Sequence, residues 1–157
     1  MARVYLETSY VSACVTDRDD TASAYRRQVS TEWWKQQRGK HELFVAEEVL
    51  AELSHPDFQR RSDANALIQG IPLLPTNEDV RGLAKILVRE KVMPAPMPGD
   101  AIHVAVATVH RMEYMLTWNV RHLANANKLE HLRIICRRVG YLPPQIVTPD
   151  ILWDYEE

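Results

Sequence analysis

The sequence predicts an α/β protein, a three-layer α/β/α sandwich built on a parallel sheet of about five strands. Short apolar runs alternate along the chain with longer segments of helical periodicity, which is typical of parallel strands joined by right-handed helical crossovers. The 157 residues contain only 5 glycines, and no internal repeat or low-complexity tract interrupts them. We therefore expect a single domain over residues 1–157.

Five short apolar runs are the predicted strands. Each is bounded by polar or turn-forming residues, as expected for buried strands of a parallel sheet. The third run contains Pro72 and Pro75, which cannot donate ladder hydrogen bonds, so we expect it at an edge of the sheet or with frayed ends. The runs cover residues 4–6, 43–45, 71–75, 114–117 and 146–148.

Helical periodicity fills the segments between these strands. A first helix, with a hydroxyl cap from Thr8 or Ser9, is expected directly after the first strand. The segment 101–112 is apolar on nearly every side and should therefore lie buried against the sheet. The other predicted helices cover residues 21–37, 46–53, 55–68, 76–88 and 120–139.

Composition and charge exclude several classes of protein. With 19 Lys and Arg against 21 Asp and Glu, the net charge is −2, which argues against coating nucleic acid by bulk charge but is compatible with a small basic rim. No segment approaches the roughly 20 apolar residues of a membrane-spanning helix, and Glu7 interrupts the first apolar run too early for a secretory signal. We therefore expect a cytoplasmic protein with no membrane contact, in which Cys14 and Cys136 are reduced packing residues.

Polar side chains collect where the predicted strands end. Glu7 closes the first strand, Asn119 follows the fourth, and Asp100 begins the buried helix that leads into the fourth. Glu52 lies at the border of the apolar stripe of the helix after the second strand. Ligands of an open parallel sheet collect at the carboxyl ends of its strands, and clustered carboxylates repel one another unless a cation neutralises them. Because hard oxygen donors select Mg²⁺ or Mn²⁺, the pattern favours a divalent metal site.

Each of these residues also has an ordinary structural interpretation. Asp100 or Asn119 could simply cap a helix, and Glu7 could be a solvated residue at a strand end. Glu48 and Glu52 lie four positions apart and share one side of a helix, so the choice of ligand between them stays open. The convergence of several such positions on one edge of the sheet is what favours a site.

Four blocks of sequence, whose order and spacing span almost the whole chain, carry a family resemblance. They are Val4–Ser9, Val49–Leu53, Gly99–Ala105 and Tyr114–Asn119. The most specific is the third, which contains the pattern Asp-Ala-hydrophobic-His-hydrophobic-Ala at residues 100–105. Together the blocks resemble the PIN-domain ribonucleases, in particular the VapC-type toxins of bacterial type II toxin–antitoxin systems.

The resemblance implies a Mg²⁺- or Mn²⁺-dependent endoribonuclease of the α/β/α class that hydrolyses single-stranded or loop RNA. It places the catalytic positions of the family on Glu7, Glu52, Asp100 and Asn119. The first three would hold the ion, directly or through water. The family usually has aspartate at the first position and often at the fourth. Here Glu7 is longer by one methylene, and Asn119 keeps an oxygen ligand but lacks the charge, a combination shared by a subset of the family that has the Thr117–His122 run.

Neighbouring residues also receive roles from the resemblance. Thr8 and Thr117 would orient ligands or water behind the metal ligands. Arg121 and His122, beside the fourth strand, would contact RNA phosphates.

Other basic and ionisable side chains have two interpretations each. The arginine pairs at 26–27 and 60–61 could also bind phosphates, but solvated helix faces explain them equally well. His103 lies one turn after Asp100 and could touch the site, yet we expect a packing or surface histidine there.

The partners that the resemblance implies are an RNA substrate and a cognate antitoxin. The antitoxin would lay a helix in an apolar groove and reach the acidic site with a basic side chain. Homodimers are common in the family, and we expect one here.

Two alternative functions remain open at this point. A catalytically weakened PIN-like domain that binds RNA or a protein is motivated by the unusual Glu7 and Asn119. A small-molecule phosphohydrolase or nucleotide-binding protein is disfavoured, because Thr8–Tyr10 stands where a Gly-rich loop would follow the first strand.

Overall fold

The core of the fold is a parallel sheet of five strands, seen in a computed structural model that describes residues 1–155. Its strands lie in the order β3–β2–β1–β4–β5, and every neighbouring pair is parallel. They comprise β1 (Ala2–Leu6), β2 (His41–Ala46), β3 (Leu73–Leu74), β4 (Tyr114–Leu116) and β5 (Gln145–Val147). The predicted fold class is confirmed. The single domain over residues 1–157 stays a prediction, and its last two residues lie outside the described part of the chain.

Helices connect the strands and cover the sheet. Across residues 1–155 they comprise α1 (Thr8–Val15), α2 (Thr21–Gln36), α3 (Glu47–Leu53), α4 (Arg61–Ile68), α5 (Glu78–Arg89), α6 (Asp100–Val109) and α7 (Ala126–Arg138). Helices α1 to α4 form one packed group, and α5 packs against α6 in a second. In the same range, no helix combines the length and hydrophobicity needed to cross a bilayer.

The register of the central strands decides which side chains meet at the carboxyl edge of the sheet. Leu6 at the end of β1 pairs with Leu116 at the end of β4, and both are completely buried. The residues that follow, Glu7 and Thr117, therefore leave the sheet side by side. Strand β3, which Pro72 and Pro75 flank, lies at an edge, as predicted, and Pro72 contributes only its carbonyl group to the ladder.

Helix α6 is the most deeply buried helix of the fold, as its sequence predicted. Every residue from Ala101 to Thr108 is buried. Most of these side chains are Ala, Val or Ile and pack without polar partners, but His103 is an ionisable group among them. A buried ionisable side chain needs hydrogen-bond partners, and this need places His103 at the candidate site described below.

Helix α6 ends at Val109, three residues before its predicted end, because the next turn contains a residue of positive φ. Arg111 has φ 58°, and the backbone N–H of Met112 donates to the carbonyl of Ala107 at 2.9 Å, which closes a Schellman motif. The same geometry follows the end of α5 at Arg89 and of α7 at Arg138, where the residues of positive φ are Lys91 and Gly140.

The helix predicted over residues 55–68 begins later than expected. Residues 54–60 form turns, and the backbone N–H of Asp57 donates to His55 Nδ1 at 3.1 Å. This side-chain bond competes with helical hydrogen bonding, so α4 starts only at Arg61.

The helix predicted over residues 120–139 also begins later in the structure than expected. After β4 the chain makes a turn, in which the backbone N–H groups of Leu123 and Ala124 both donate to the carbonyl of Asn119. Helix α7 begins at Ala126, after Asn125 accepts a hydrogen bond from a backbone N–H of the first turn.

The two cysteines are free thiols, as predicted; Cys136 is buried and Cys14 is half-buried. Burial raises the pKa of Cys136 to about 11 and that of Cys14 to about 12. Neither thiol therefore ionises near neutral pH, which agrees with a packing role.

The beginning and the last described segment of the chain lie together at the amino ends of the strands. Ala2, where β1 begins, lines one shallow cavity together with Asp154. The side chain of Gln37 exchanges two hydrogen bonds with the backbone of Asp154, at 2.8 and 3.3 Å. The indole of Trp33 donates to the carbonyl of Leu152 at 2.6 Å. These bonds hold the C-terminal segment against α2, at the edge of the sheet opposite to Glu7.

Candidate active site

Glu7 is a buried carboxylate at the junction of β1 and α1. It is the N-cap of α1, with extended backbone (φ −80°, ψ 155°), and its side chain is only 5% exposed. Its Oε1 accepts hydrogen bonds from the backbone N–H and hydroxyl of Ser9 and, at 2.6 Å, from the hydroxyl of Thr117. The expected hydroxyl cap was therefore wrong: the carboxylate caps the helix, where the helix dipole also favours its charge.

Thr117 and the residues after it connect the end of β4 to the β1–α1 junction. The Thr117 hydroxyl accepts from the backbone N–H of Asn119 at 3.0 Å while it donates to Glu7. The Ser9 hydroxyl accepts from the backbone N–H of Trp118 at 2.8 Å. These bonds fix two loops that are more than 100 residues apart in sequence, so that the position of Glu7 depends on the β4 loop.

Asp100 is the first residue of α6, and Asn119 holds its side chain. The Asn119 amide donates to Asp100 Oδ1 at 3.1 Å, and its own carbonyl oxygen accepts from the backbone N–H of His122. The N-cap of α6 is Gly99, whose φ of 139° favours glycine, and no side chain caps this helix. The capping alternative for Asp100 is thus excluded, whereas Asn119 does cap the turn after β4 and binds Asp100 as well.

Glu52 reaches the site from the last turn of α3. Its Oε1 accepts hydrogen bonds from the hydroxyl of Thr8 at 3.2 Å and from Nε2 of His103. His103 is 1% exposed, and its Nδ1 lies 2.6 Å from the hydroxyl of the fully buried Tyr5. When the tyrosine hydroxyl donates to Nδ1, the ring proton is on Nε2 and points to Glu52. Both nitrogens of the His103 ring then have a hydrogen-bond partner. Within the described residues, no such hydrogen bond reaches Glu48, which shares the helix side with Glu52.

The contact between Glu52 and His103 shifts both pKa values. Burial is the largest effect on each group, and alone it would raise the pKa of Glu52 and lower that of His103. The mutual hydrogen bond and opposite charges outweigh burial, so the pKa of Glu52 lies below its ordinary value and the pKa of His103 above it. The charges of Glu7 and Asp100 also raise the pKa of His103, which places this ring within electrostatic reach of all three carboxylates.

The three candidate carboxylates share one bonding pattern. In each of them, all the hydrogen bonds go to a single oxygen: Oε1 of Glu7, Oε1 of Glu52 and Oδ1 of Asp100. Within residues 1–155, no hydrogen bond reaches the second oxygen, and no Lys or Arg pairs with these groups. The protein therefore fixes each carboxylate by one oxygen and leaves the other available.

The chemistry of this donor set fits a hard divalent cation. Three carboxylates with unbonded oxygens and no neutralising Lys or Arg are the donors that Mg²⁺ and Mn²⁺ prefer. Among the described residues, however, no group of three or more His, Cys, Asp or Glu side chains lies close enough to hold an ion by itself. Mg²⁺ commonly binds one or two carboxylates directly and keeps several waters. The residues therefore fit an ion that is held partly through water, which is one of the two arrangements expected from the resemblance.

The predicted RNA-contacting residues lie beside the carboxylates but differ in exposure and in their contacts with other side chains. Arg121 is exposed and lines a groove that starts at Ser9 and Asn119. His122 is half-buried, and its Nδ1 lies 3.2 Å from the ammonium group of Lys128.

The arginines at 26–27 and at 60 also differ in whether their side chains are already bound to other parts of the protein. Arg26 lines the groove together with Arg121. Arg27 donates to two backbone carbonyls, both at 2.9 Å, and Arg60 forms ion pairs with Asp17 and Asp63. Arg27 and Arg60 are thus engaged in holding the protein's own chain.

Two side chains near the carboxylates were not among the predicted site residues: Ser9 was not considered, and contact of His103 with the site was the less favoured alternative. His103 is buried, as the favoured packing interpretation expected, and it also contacts Glu52 and lies within electrostatic reach of Glu7 and Asp100. A detectable signal existed, because an ionisable side chain within a helix that is apolar on all sides must find a polar partner. For Ser9 no local signal was available, since its partners Thr117 and Trp118 lie on another loop.

No family model and no curated protein matches the sequence. Solved structures do match, at low sequence identity. The structure of VapC20 from Mycobacterium tuberculosis, a sarcin–ricin loop cleaving toxin, aligns with a TM-score of 0.56 and 16% identity, and covers 88% of this chain and 96% of that one.

A second match is VapBC2 from Rickettsia felis, bound to a DNA fragment from their promoter. Here the TM-score is 0.55 and the identity 10%, with 97% of this chain and 99% of the other covered. At such identities the comparison establishes the fold. The chain therefore has the α/β fold of VapC-type PIN-domain toxins, as the sequence blocks predicted.

Proposed function

We propose that this protein is a Mg²⁺- or Mn²⁺-dependent endoribonuclease and the toxin of a type II toxin–antitoxin pair. The observation that carries the proposal is the set of three carboxylates, Glu7, Glu52 and Asp100, each held by one oxygen and each with a second oxygen left unbonded. The fold shared with a toxin that cleaves the sarcin–ricin loop supports RNA as the substrate. The fold shared with the VapBC2 structure supports an antitoxin partner.

The chain's own residues would prepare the site for phosphodiester hydrolysis. Glu7, Glu52 and Asp100 would hold the divalent ion, directly or through water. A bound ion supplies a water of lowered pKa and offsets the negative charge that develops on the phosphate. Hydrolysis by water in line with the leaving oxygen would give a 5′-phosphate product, as the family resemblance implies.

Four polar side chains behind the carboxylates would keep them oriented. Thr117 donates to Glu7, and Asn119 donates to Asp100. Thr8 and His103 both donate to Glu52. Because each donor occupies only one oxygen, the carboxylates keep their positions without losing the oxygen that the ion needs.

Replacing Asp100 by asparagine tests the proposal directly. We expect Asp100→Asn to lower Mg²⁺- or Mn²⁺-dependent cleavage of a labelled RNA hairpin by more than about 100-fold, since changing even a residue behind a metal ligand lowers activity 10–100-fold. Mn²⁺ at about 100 times its Kd should also stabilise the wild-type protein by about 2.7 kcal/mol in calorimetry, and the variant much less. Asp150→Asn, the same change at an exposed position, is the matched control.

The outcomes separate the proposed nuclease from its alternative. Cleavage by Asp100→Asn at the wild-type rate would remove Asp100 from the site. A wild-type protein that binds RNA but neither cleaves it nor responds to Mn²⁺ would instead be the catalytically weakened PIN-like binding domain. Homodimer formation stays an expectation, to be measured by sedimentation of the same samples.

A further inference from the structure

Asn119 uses both its backbone and its side chain to hold the turn after β4. Its backbone N–H donates to the hydroxyl of Thr117 at 3.0 Å, and its backbone carbonyl accepts from two N–H groups of the turn. Its side-chain oxygen accepts from the backbone N–H of His122 at 3.0 Å, while its amide donates to Oδ1 of Asp100 at 3.1 Å. The backbone bonds fix where the side chain starts, and the two side-chain bonds fix where it points.

The two side-chain partners of Asn119 decide which end of its amide group faces the acidic site. A backbone N–H can only donate a hydrogen bond and an ionised carboxylate can only accept one, so the oxygen must face His122 and the nitrogen must face Asp100. The reversed orientation would set acceptor against acceptor and donor against donor, and both hydrogen bonds would be lost. Asn119 therefore presents an N–H donor, and not its oxygen, to Asp100.

This orientation changes which atoms can hold an ion. Hard divalent cations bind oxygen, whereas an amide nitrogen is only a hydrogen-bond donor. The oxygen of Asn119, which the family resemblance offers as a ligand, faces the backbone N–H of His122 instead. The donor oxygens that remain among the four predicted positions are those of Glu7, Glu52 and Asp100.

The amide also sets the electrostatic balance at Asp100. A hydrogen bond from a neutral donor stabilises a charged carboxylate without adding a charge of its own. The three carboxylates together with one divalent ion therefore carry a single excess negative charge. An aspartate in place of Asn119 would bring a fourth carboxylate to the position of the amide nitrogen, 3.1 Å from Asp100, where the repulsion between like charges favours a further cation.

We propose that Asn119 restricts the acidic site to one divalent ion, by presenting an amide donor to Asp100 where a fourth carboxylate would require a second cation. The inference rests on the proposed function, since it takes Glu7, Glu52 and Asp100 as the groups that hold the ion. In this role Asn119 is a positioning residue, which acts on the ion through Asp100.

Three variants test the inference. Asn119→Asp keeps the oxygen that accepts from His122 and replaces only the amide by a carboxylate oxygen. Asn77→Asp is the matched control, because the oxygen of Asn77 also accepts a backbone N–H from three residues on, that of Val80 at 3.0 Å, and lies at the exposed start of α5. The swap Asp100→Asn/Asn119→Asp exchanges donor and acceptor, so it keeps both the bond between the two positions and the net charge.

Calorimetric titration with Mn²⁺ counts the ions. We expect about one Mn²⁺ per chain for the wild type and for Asn77→Asp, and about two for Asn119→Asp, because the fourth carboxylate adds hard oxygen donors and negative charge. Two ions in the wild type would overturn the inference. A single ion in folded Asn119→Asp would overturn it as well.

Urea unfolding in EDTA tests the orientation of Asn119 without any ion. Asn119→Asp should unfold at a lower urea concentration than Asn77→Asp, since its new carboxylate faces Asp100, and the swap should return the midpoint towards the wild-type value. If Asn119→Asp does not fold, recovery of folding in the swap supports the inference in the same way. A swap that is as unstable as Asn119→Asp would show that no donor–acceptor pair joins the two positions, and would overturn it.

The outcomes are distinct from those that decide the proposed function. A wild-type protein that neither binds Mn²⁺ nor cleaves RNA would remove the nuclease, together with the ion site on which this inference rests. Two Mn²⁺ ions in a wild-type protein whose cleavage depends on Asp100 would keep the nuclease and overturn the single-ion inference alone.

Discussion

The acidic site and the groove lined by Arg18, Arg26 and Arg121 lie side by side and share Ser9 and Asn119, yet they are built in opposite ways. The carboxylates come from the ends of strands and from helix termini, are held by fixed hydrogen bonds, and pair with no Lys or Arg within residues 1–155. The arginines come from a loop and helix surfaces, are exposed or half-buried, and make few contacts.

This difference separates two physical tasks. A site that positions an ion must be rigid to a fraction of an ångström, and the buried hydrogen-bond network around Glu7 and His103 provides that rigidity. A surface that attracts a flexible polyanion needs charge rather than fixed geometry, and solvated arginines provide it. Changes in the first region should therefore alter the rate of cleavage, whereas changes in the second should alter affinity and its salt dependence.

The sharpest way to break the comparison is to replace, one at a time, Glu52 and Glu48, the two glutamates that share one side of α3. Glu52→Gln should lower cleavage by at least about 100-fold, because it weakens both the proposed ion site and the contact with His103. Glu48→Gln, the same change one turn earlier, should leave the rate within about threefold, since Glu48 has none of these contacts. Single-turnover cleavage rates at saturating RNA measure both. Equal losses, or a larger loss at Glu48, would move the ligand to the other glutamate.

A smaller effect is expected when the histidine behind Glu52 is replaced. His103→Gln should lower the free energy of unfolding by about 2 kcal/mol, since it breaks buried hydrogen bonds to Tyr5 and Glu52. Because the folded protein raises the pKa of His103 above 6.5, its stabilisation is complete below pH 6.5 and is lost as the pH rises through the folded value. The lowered pKa of Glu52 gives the other limit: its contribution is present above pH 4.5 and is lost as the pH falls through its folded value.

The difference in stability between wild type and His103→Gln should thus be largest between about pH 4.5 and 6.5 and shrink towards pH 9, as measured by urea unfolding in EDTA. Tyr5→Phe is the control, because it removes the tyrosine hydroxyl but leaves the pair with Glu52. A difference that does not vary with pH would mean that His103 acts by packing alone.

The smallest effect should follow from removing the most exposed hydrogen bond of the site. Thr8→Val keeps the shape of the side chain but loses the 3.2 Å bond to Glu52, so we expect less than about 1 kcal/mol of destabilisation and a roughly threefold loss of cleavage rate. Thr31→Val, whose hydroxyl binds only carbonyl groups within α2, should leave the rate unchanged. A loss of 100-fold or more at Thr8 would show that its hydroxyl acts on the substrate or the ion.

Features set by local periodicity could be predicted from the sequence. The burial of α6 follows from its apolar residues on all sides, and the edge position of β3 follows from the prolines that flank it, Pro72 and Pro75. The convergence of strand-end side chains on one edge follows from parallel topology, and Glu7, Asp100 and Asn119 are indeed linked through hydrogen bonds to Thr117 or to one another. Their roles in binding an ion and in catalysis stay predictions.

Features set by long-range or turn-level hydrogen bonds could not be predicted. The partners of His103 lie 98 and 51 residues away, so no local pattern identifies them. The late start of α7 depends on the Asn119 carbonyl, which accepts two backbone hydrogen bonds where the polar sequence alone was compatible with a helix. The carboxylate cap of α1 likewise depends on the Thr117 hydroxyl, which the register of two strands places next to Glu7.

Both ends of the described chain lie at the edge of the sheet opposite to Glu7, where Gln37 binds the backbone of Asp154 and where β1 begins at Ala2. An affinity tag or a surface tether attached at either end would therefore leave the carboxylates and the arginines facing the solution. The molecule can be immobilised for single-molecule or surface-based measurements of RNA capture without covering either region.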